Sequence, residues 1–218
     1  MPKWITNKLK AATAVIEAAV NEEGHFDFSK TTPSPCPVGG DWDEIYPDAE
    51  IAAKAVTDKP LSSHPFLRSF EARNRADVDI KKLNEESFEQ FVGMLRNYRA
   101  CGYLHDMEFS REAWGTKLNA CESVIDLSGG EASFDTAWSC PKPVFVALSK
   151  RFPDEVLTVL YAGEDIGSNC GMFKLKNGEV IESDEAESWS EMTDEEKAKW
   201  TAFAYQVKGR EPESEDEA

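Results

Sequence analysis

The fold of this protein is decided by residues 121–165, whose sequence is CESVIDLSGGEASFDTAWSCPKPVFVALSKRFPDEVLTVLYAGED. Polar and apolar residues nearly alternate over residues 121–127, and they recur with period two over residues 132–138, as in strands with one buried face. Gly129 and Gly130 separate the two runs, and paired glycines supply the positive φ angles that a tight hairpin turn requires. The pattern predicts an antiparallel hairpin.

A helix and a returning strand are predicted after the hairpin. Residues 144–152 carry apolar side chains at close to helical spacing. Two prolines precede this run, and proline is well tolerated in the first turn of a helix. Pro153 is predicted to end the helix. Residues 155–161 are rich in β-branched and aromatic side chains. This apolar run is short enough to form a central strand rather than a long helix. A further strand is predicted at residues 171–175, and an Asn-Gly turn leads from it into another at residues 179–182.

Two strands, a helix and a returning strand form the second half of a split βαβ arrangement, so a first strand and helix are needed. The N-terminus offers both, because residues 4–9 alternate and residues 11–20 are alanine-rich with apolar residues at helical spacing. We therefore predict an α+β fold: a ferredoxin-like antiparallel sheet with a long, mostly helical insertion and a C-terminal helix. The ferredoxin-like core comprises residues 1–30 and 118–176.

The other segments are predicted to join this core in one α+β domain of residues 1–210. The insertion, residues 33–117, contains helical patterns that begin near Asp48, Pro65, Asn84 and Leu104. Residues 179–210 form an acidic C-terminal region, in which a Thr-x-x-Glu capping box precedes the last helix. Residues 211–218 are almost wholly acidic and are predicted to be disordered.

The net charge of −17, from 41 acidic and 24 basic residues, argues against several classes of partner. Affinity for nucleic acid comes largely from phosphate neutralisation by lysine and arginine, so no direct nucleic-acid contact is expected. An anionic membrane surface is disfavoured for the same reason. The sequence has no run of 18 apolar residues and no signal-peptide pattern, which favours a soluble, cytoplasmic protein.

The sequence shows no strong catalytic or metal-binding pattern. The three histidines, His25, His64 and His105, are far apart, and no C-x-x-C motif or glycine-rich phosphate loop is present. The five cysteines have irregular spacings, and reduced thiols are expected for a cytoplasmic protein. We predict no metal and no cofactor, and we favour a non-enzymatic protein.

Three short motifs resemble a known family: WGTKLNA at residues 114–120, FDTAWSCP at residues 134–141 and MPKWITN at residues 1–7. Together they resemble the YubB-like family of plasmid and phage proteins. That family usually has tryptophan at the position of Leu118 and often proline at the position of Cys140. The resemblance implies a ferredoxin-like domain and a mobile-element origin, with no established activity, and the cytoplasm would then be that of a bacterial host.

The best candidates for a binding site are the residues of these motifs: Trp114, Lys117, Asn119, Asp135, Thr136 and Trp138. Lys117 and Asp135 could meet across adjacent strands and line a polar pocket with Trp138. A small-ligand-binding or enzymatic domain, with its pocket around Trp114, Lys117, Asp135 and Trp138, is therefore one hypothesis. The structural alternative is that Asp135 and Thr136 satisfy backbone groups while both tryptophans anchor the core.

A different hypothesis, which we favour, starts from the acids of the C-terminal region: Glu179, Glu182, Asp184, Glu185, Glu187, Glu191, Asp194 and Glu195. Ordered carboxylates imitate an array of phosphates, and complementary charge accelerates encounter. We predict a non-enzymatic binding protein that occupies the basic, nucleic-acid-binding surface of a host protein, such as a defence nuclease. A third hypothesis is binding through apolar surface on the helical insertion.

Overall fold

A computed structural model describes residues 3–36, 44–57, 59 and 65–211. The chain divides into two compact units, and each is described by itself. Unit 1 comprises Met1–Pro33 and Ser110–Ala218, and unit 2 comprises Ser34–Phe109. The acidic tail that the sequence predicts to be disordered lies outside the described residues, except for Glu211.

Unit 1 is built on one antiparallel sheet of six strands. The strands are β1 (Trp4–Lys10), β2 (Cys121–Asp126), β3 (Glu131–Ala137), β4 (Val156–Gly163), β5 (Cys170–Lys176) and β6 (Glu179–Glu185). Their order across the sheet is β2-β3-β1-β4-β5-β6. The first four positions have the interleaved order of two split βαβ units, which confirms the predicted α+β, ferredoxin-like fold. Strands β5 and β6 extend this sheet beyond β4.

Seven α-helices lie within the described residues: α1 (Thr13–Glu17), α2 (Pro47–Val56), α3 (Pro65–Asp77), α4 (Glu85–Cys101), α5 (Asp106–Ala113), α6 (Lys142–Arg151) and α7 (Asp194–Lys208). The helix predicted over residues 11–20 is shorter than expected, because a turn uses the backbone groups that would extend it. The N–H of Asp27 donates to the carbonyl of Ala19 at 2.8 Å, and Val20 pairs with Phe26. No helix in the described part of the chain combines the length and the apolar character that crossing a lipid bilayer requires.

One face of the sheet packs against α6, and we call it the α6 face. Ile5 and Leu9 of β1 and Phe134 of β3 point to this face and are at most 1% exposed. The ring of Phe134 stacks on Phe26 with centroids 4.4 Å apart and lies 6.1 Å from the ring of Phe145 of α6. Burying each of these large apolar side chains contributes about 2 kcal/mol, so this aromatic layer is a major source of stability for unit 1.

The opposite face carries α7, and we call it the α7 face. The predicted capping box is present at the start of α7: the hydroxyl of Thr193 accepts the N–H of Glu196, and the Glu196 carboxylate accepts the N–H of Thr193 at 2.8 Å. One turn later, Trp200 and Ala204 pack against Ala162 of β4. The last helix therefore docks through its apolar side, as its periodicity predicts.

Unit 2 is organised around α4. Asn84 caps the N-terminus of α4, and Gly102 ends the helix in the left-handed conformation, with φ of 83°. Small residues of α2 allow close packing on this helix, with Ala52 buried against Phe91 and Met94. A short apolar seam between α2 and α4 thus forms the core of unit 2.

Candidate functional site

Trp114 is an anchor in the interior of unit 1. Its indole N–H donates to the carbonyl of Thr32 at 2.8 Å, and its ring lies edge-on to Phe28 with centroids 5.5 Å apart. The ring of Phe28 in turn lies 5.8 Å from Phe134, which places Trp114 on the α6 face. Only 7% of Trp114 is exposed, so it offers little surface to a ligand.

Asn119 and Thr136 tie backbone segments together. The Asn119 side-chain oxygen accepts the N–H of Phe28 at 2.9 Å. Thr136 is fully buried, and its hydroxyl accepts a hydrogen bond from the Asn7 amide at 2.8 Å and donates to the carbonyl of Ser139 at 2.8 Å. The polar atoms of both residues are therefore occupied by internal partners.

Asp135 lies on the other side of the sheet. It follows Phe134 in β3, and successive side chains of a strand point to opposite faces, so Asp135 faces α7. Burial lowers the pKa of Lys208 at the end of α7, and the charge of Asp135 opposes this shift. Lys117 is half-buried, and within the described ranges it forms no ion pair with Asp135.

Trp138 is exposed and has an unusual backbone conformation. Its φ of 73° lies in the left-handed region, which bulky residues rarely adopt. Its N–H donates to the carbonyl of Lys3 at 2.7 Å, which holds the chain as it leaves β3. The side chain is 54% exposed. A large aromatic residue held at the surface in this conformation is a candidate contact residue.

The structure does not bring the four residues of the predicted pocket together. Trp114 lies on the α6 face and Asp135 on the α7 face, so the sheet itself separates them. Among the residues that the structure describes, Lys117 forms no ion pair with Asp135, and the Trp138 side chain is largely exposed to solvent. Of the six motif residues, Trp114 and Asn119 both contact Phe28, whereas Asp135 lies on the other face of the sheet.

Seven of the eight predicted acidic residues lie on or beside the α7 face. In β6, Glu182 and Asp184 are in register with Lys174 and Met172 of β5, which point to this side of the sheet. The segment after β6 packs on the same side through apolar residues such as Met192. We define the acidic face as Glu179, Glu182, Asp184, Glu187, Glu191, Asp194 and Glu195.

Lysines pair with some of these acids but not with all of them. Glu182 pairs with Lys174 at 2.7 Å, and Asp184 pairs with Lys199 at 2.8 Å. Asp194 has a longer contact with the lysine one turn ahead, at 3.7 Å. Among the described residues, four acids of this face are exposed and form no ion pair: Glu179, Glu187, Glu191 and Glu195.

Glu185 is directed to the α6 face and is held by internal partners. The Lys142 ammonium donates to both carboxylate oxygens, at 2.8 and 2.6 Å, and the Tyr161 hydroxyl donates to one of them at 2.8 Å. Burial alone would raise the pKa of Glu185, but the hydrogen bonds from Lys142 and Tyr161 outweigh burial, and the pKa lies below its usual value. Glu185 is therefore a structural carboxylate rather than part of the acidic face.

Sequence reasoning missed the partners of Glu185. Tyr161, Gly171 and Glu185 are register partners across β4, β5 and β6. A Cβ at Gly171 would lie 2.9 Å from the Cα of Glu185 and 3.0 Å from its Cγ, so glycine leaves room for the Glu185 side chain to cross toward Tyr161. The available signal was the glycine inside a strand, which indicates a close approach of another group.

Unit 2 contains a cavity of about 460 Å³ that is lined by charges of both signs. Lys59 pairs with Glu108 at 2.7 Å, and Lys54 pairs with Glu50 at 2.7 Å. The His105 ring, whose Nε2 lies 3.6 Å from the Glu50 carboxylate, and the Lys54 ammonium lower the pKa of Glu50 to about 2, against the effect of burial. These charges already have partners, so the cavity indicates no particular ligand. No group of three His, Cys, Asp or Glu side chains in the described part of the chain is placed to hold a metal ion.

Residues 112–204 match a protein family described as the ferredoxin-like domain in Api92-like protein. This part of the chain is thus similar to a ferredoxin-like domain, in agreement with the strand order. A crystal structure of the protein api92 from Yersinia pseudotuberculosis superposes with a TM-score of 0.41 at 11% sequence identity, covering 86% of this chain and 99% of that chain. No curated protein matches the chain.

Proposed function

We propose that the protein is a non-enzymatic binding protein whose acidic face occupies a basic, nucleic-acid-binding surface of another protein. The observation that supports the proposal most is the gathering of seven carboxylates along β6, the segment after it and the first turn of α7. β6 is an edge strand, and all seven of its residues are exposed. A partner can therefore reach the acidic face without a rearrangement of unit 1.

The charges of the acidic face suit such a partner. Carboxylates present charged acceptor oxygens to arginine and lysine, as phosphates do, and charge-assisted hydrogen bonds are the stronger ones. Four carboxylates of the face can make these bonds without losing a lysine partner. The exposed pairs Glu182–Lys174 and Asp184–Lys199 contribute at most about 1 kcal/mol each, so exchanging their lysines for those of a partner costs little.

An exposed aromatic side chain beside the carboxylates supplies contact area that charge alone does not provide. Trp189, in the segment after β6, is 44% exposed, and the ammonium of Lys197 of α7 lies 5.7 Å from the centre of its ring. Tryptophan is enriched among the residues that contribute most to binding energy at interfaces. The acidic face therefore combines electrostatic attraction with apolar surface that a partner can cover.

The biological setting of the proposal comes from the sequence motifs. We further propose that the chain is a YubB-like protein of a phage or plasmid, acting in the cytoplasm of a bacterial host. Its target would be a host nucleic-acid-binding protein, such as a defence nuclease. Covering the basic surface of such a target blocks the site that its substrate needs. The alternative, a ligand-binding or enzymatic pocket around Trp114, Lys117, Asp135 and Trp138, is not favoured by the separation of these residues.

The test is capture of partners from bacterial lysate on immobilised protein, followed by elution in a salt gradient. The first variant replaces four unpaired acids of the acidic face by glutamine: Glu179, Glu187, Glu191 and Glu195. The control variant changes net charge equally by replacing exposed acids elsewhere in unit 1: Glu17→Gln, Glu22→Gln, Asp154→Asn and Glu155→Gln.

We expect the wild type and the control variant to retain the same basic protein, which elutes at moderate salt because ions screen the attraction. The first variant should bind that protein at least about tenfold more weakly, since it lacks the charges that meet the partner. If both variants lose the same affinity for this protein, or if neither variant loses affinity, the proposal is contradicted.

A further inference from the structure

Two thiols of unit 2 lie in contact with each other. The Sγ atom of Cys101 is 3.6 Å from the Sγ atom of Cys36. Cys101 is the last residue of α4, and its thiol also donates to the carbonyl of Asn97 at 3.2 Å. Cys36 lies outside any helix or strand, and its N–H donates to the hydroxyl of Ser34 at 3.2 Å. Both cysteines are half-buried, so both keep some access to solvent.

The two cysteines also lie near the two ends of unit 2. This unit spans Ser34–Phe109, so Cys36 is close to its first residue and Cys101 is close to its last. A covalent bond between the two sulfurs would enclose residues 36–101, which is nearly the whole unit.

We propose that Cys36 and Cys101 form a redox modification site, at which a peroxide produces an intramolecular disulfide that ties the two ends of unit 2 together. A disulfide holds its sulfurs about 2.05 Å apart, so the two atoms must approach by about 1.6 Å. Cys101 ends a helix, and Cys36 lies outside any helix or strand. Neither is locked in the middle of a helix or strand, and small backbone shifts can bring the sulfurs together.

The reaction has two steps and consumes one peroxide molecule. Burial raises the pKa of Cys36 to about 12, so Cys36 keeps its proton at neutral pH and the first step belongs to Cys101. The Cys101 sulfur attacks hydrogen peroxide and the O–O bond breaks, which yields Cys101 sulfenic acid and one water. The Cys36 sulfur then attacks the Cys101 sulfur. The S–S bond forms as the S–O bond breaks, and the hydroxyl group leaves with the Cys36 proton as a second water.

The other three cysteines belong to unit 1 and have different surroundings. Cys140 and Cys170 are buried, with 8% and 1% of their surfaces exposed. Cys121 is half-buried in β2, and its thiol donates to the carbonyl of Asp135 at 3.3 Å. Reaction with peroxide should therefore select the pair in unit 2.

The test treats the full-length protein with hydrogen peroxide and then counts free thiols. We expect the count to fall from five to three, with an intact mass lower by two hydrogen atoms and a crosslinked peptide that joins Cys36 to Cys101. A thiol reductant should restore all five. The variants Cys36→Ser and Cys101→Ser should each fail to form this crosslink, and the control variant Cys140→Ser should form it normally.

A second measurement follows the effect of the bond on unit 2. A disulfide that closes a loop of this length lowers the population of the unfolded form by a factor on the order of a thousand, so protease cleavage between residues 37 and 100 should slow markedly after oxidation. Retention of five thiols, crosslinks through other cysteines or between two chains, or over-oxidation of Cys101 without a disulfide would overturn the proposal. Unchanged cleavage of the fully crosslinked protein would overturn the claim that the bond ties unit 2 together.

Discussion

Replacing Glu185 by alanine removes the acceptor of a buried hydroxyl and one half of an ion pair in a single change. Tyr161 is 5% exposed and donates its hydroxyl to Glu185 at 2.8 Å. Without this acceptor the hydroxyl stays unpaired in the interior, which costs about 1–3 kcal/mol. The ion pair adds little, because the side chains of Lys142 and Glu185 are 46% and 36% exposed and such pairs contribute at most about 1 kcal/mol. We expect Glu185→Ala to lower the free energy of unfolding of unit 1 by about 2 kcal/mol.

Urea unfolding followed by tryptophan fluorescence measures this effect, because five of the six tryptophans belong to unit 1. Glu182→Ala is the matched control. Glu182 lies on the same strand and pairs with Lys174 at 2.7 Å, but this pair is exposed and no buried hydroxyl depends on it. Its replacement should change the free energy of unfolding by no more than about 0.5 kcal/mol.

A double-mutant cycle with Tyr161→Phe isolates the contribution of the hydroxyl. In the phenylalanine background no hydroxyl is left unpaired, so Glu185→Ala should cost about 1 kcal/mol less than in the wild type. If Glu185→Ala costs no more than Glu182→Ala, or if the cycle shows no coupling between Glu185 and Tyr161, the reasoning from the buried hydroxyl is refuted.

Three further predictions follow from single positions. The neighbouring His105 and Lys54 lower the Glu50 pKa from 4.5 to about 2, so stability that is present above pH 4.5 is lost as the pH falls toward 2. Urea unfolding monitored by circular dichroism should show a loss on the order of 3 kcal/mol in the wild type over this range, and the Glu50→Gln variant should lack that loss. Trp138→Gly should raise the free energy of unfolding by about 1 kcal/mol, because glycine adopts a φ of 73° without strain, and a decrease would show that indole packing outweighs the strain. Gly171→Ala should destabilise unit 1 by about 1–3 kcal/mol, since its Cβ would displace Glu185; unchanged urea midpoints would contradict this.

Much of the local structure could be predicted because it depends on residues that are close together in the sequence. The alternation of residues 121–127 and 132–138 around Gly129 and Gly130 indicated the hairpin of β2 and β3. The capping box at the start of α7 and the capping residue Asn84 of α4 were likewise predictable, since each involves groups within one helical turn. The helix over residues 11–20 was predicted too long, because its end depends on a turn that pairs Val20 with Phe26.

The candidate site was harder to predict because it depends on which face of the sheet each residue occupies. Alternation places Asp135 opposite Phe134, but only the contact of Trp114 with Phe28 shows that Trp114 lies on the Phe134 side. Trp138 continues the period of β3, yet a left-handed backbone conformation at its own position turns it out to solvent. Spacing in a motif therefore did not determine which residues share a pocket.

The sequence by itself determined the strands, the helix caps and the net charge, because these follow from neighbouring residues or from a sum over the chain. The ferredoxin-like fold was predicted from the succession of strands and helices along the chain. Only the tertiary structure decided that Glu185 leaves the acidic face for Tyr161 and Lys142, and that Cys36 meets Cys101. The physical reason is that such contacts depend on strand register and helix packing, which bring together residues that no local pattern connects.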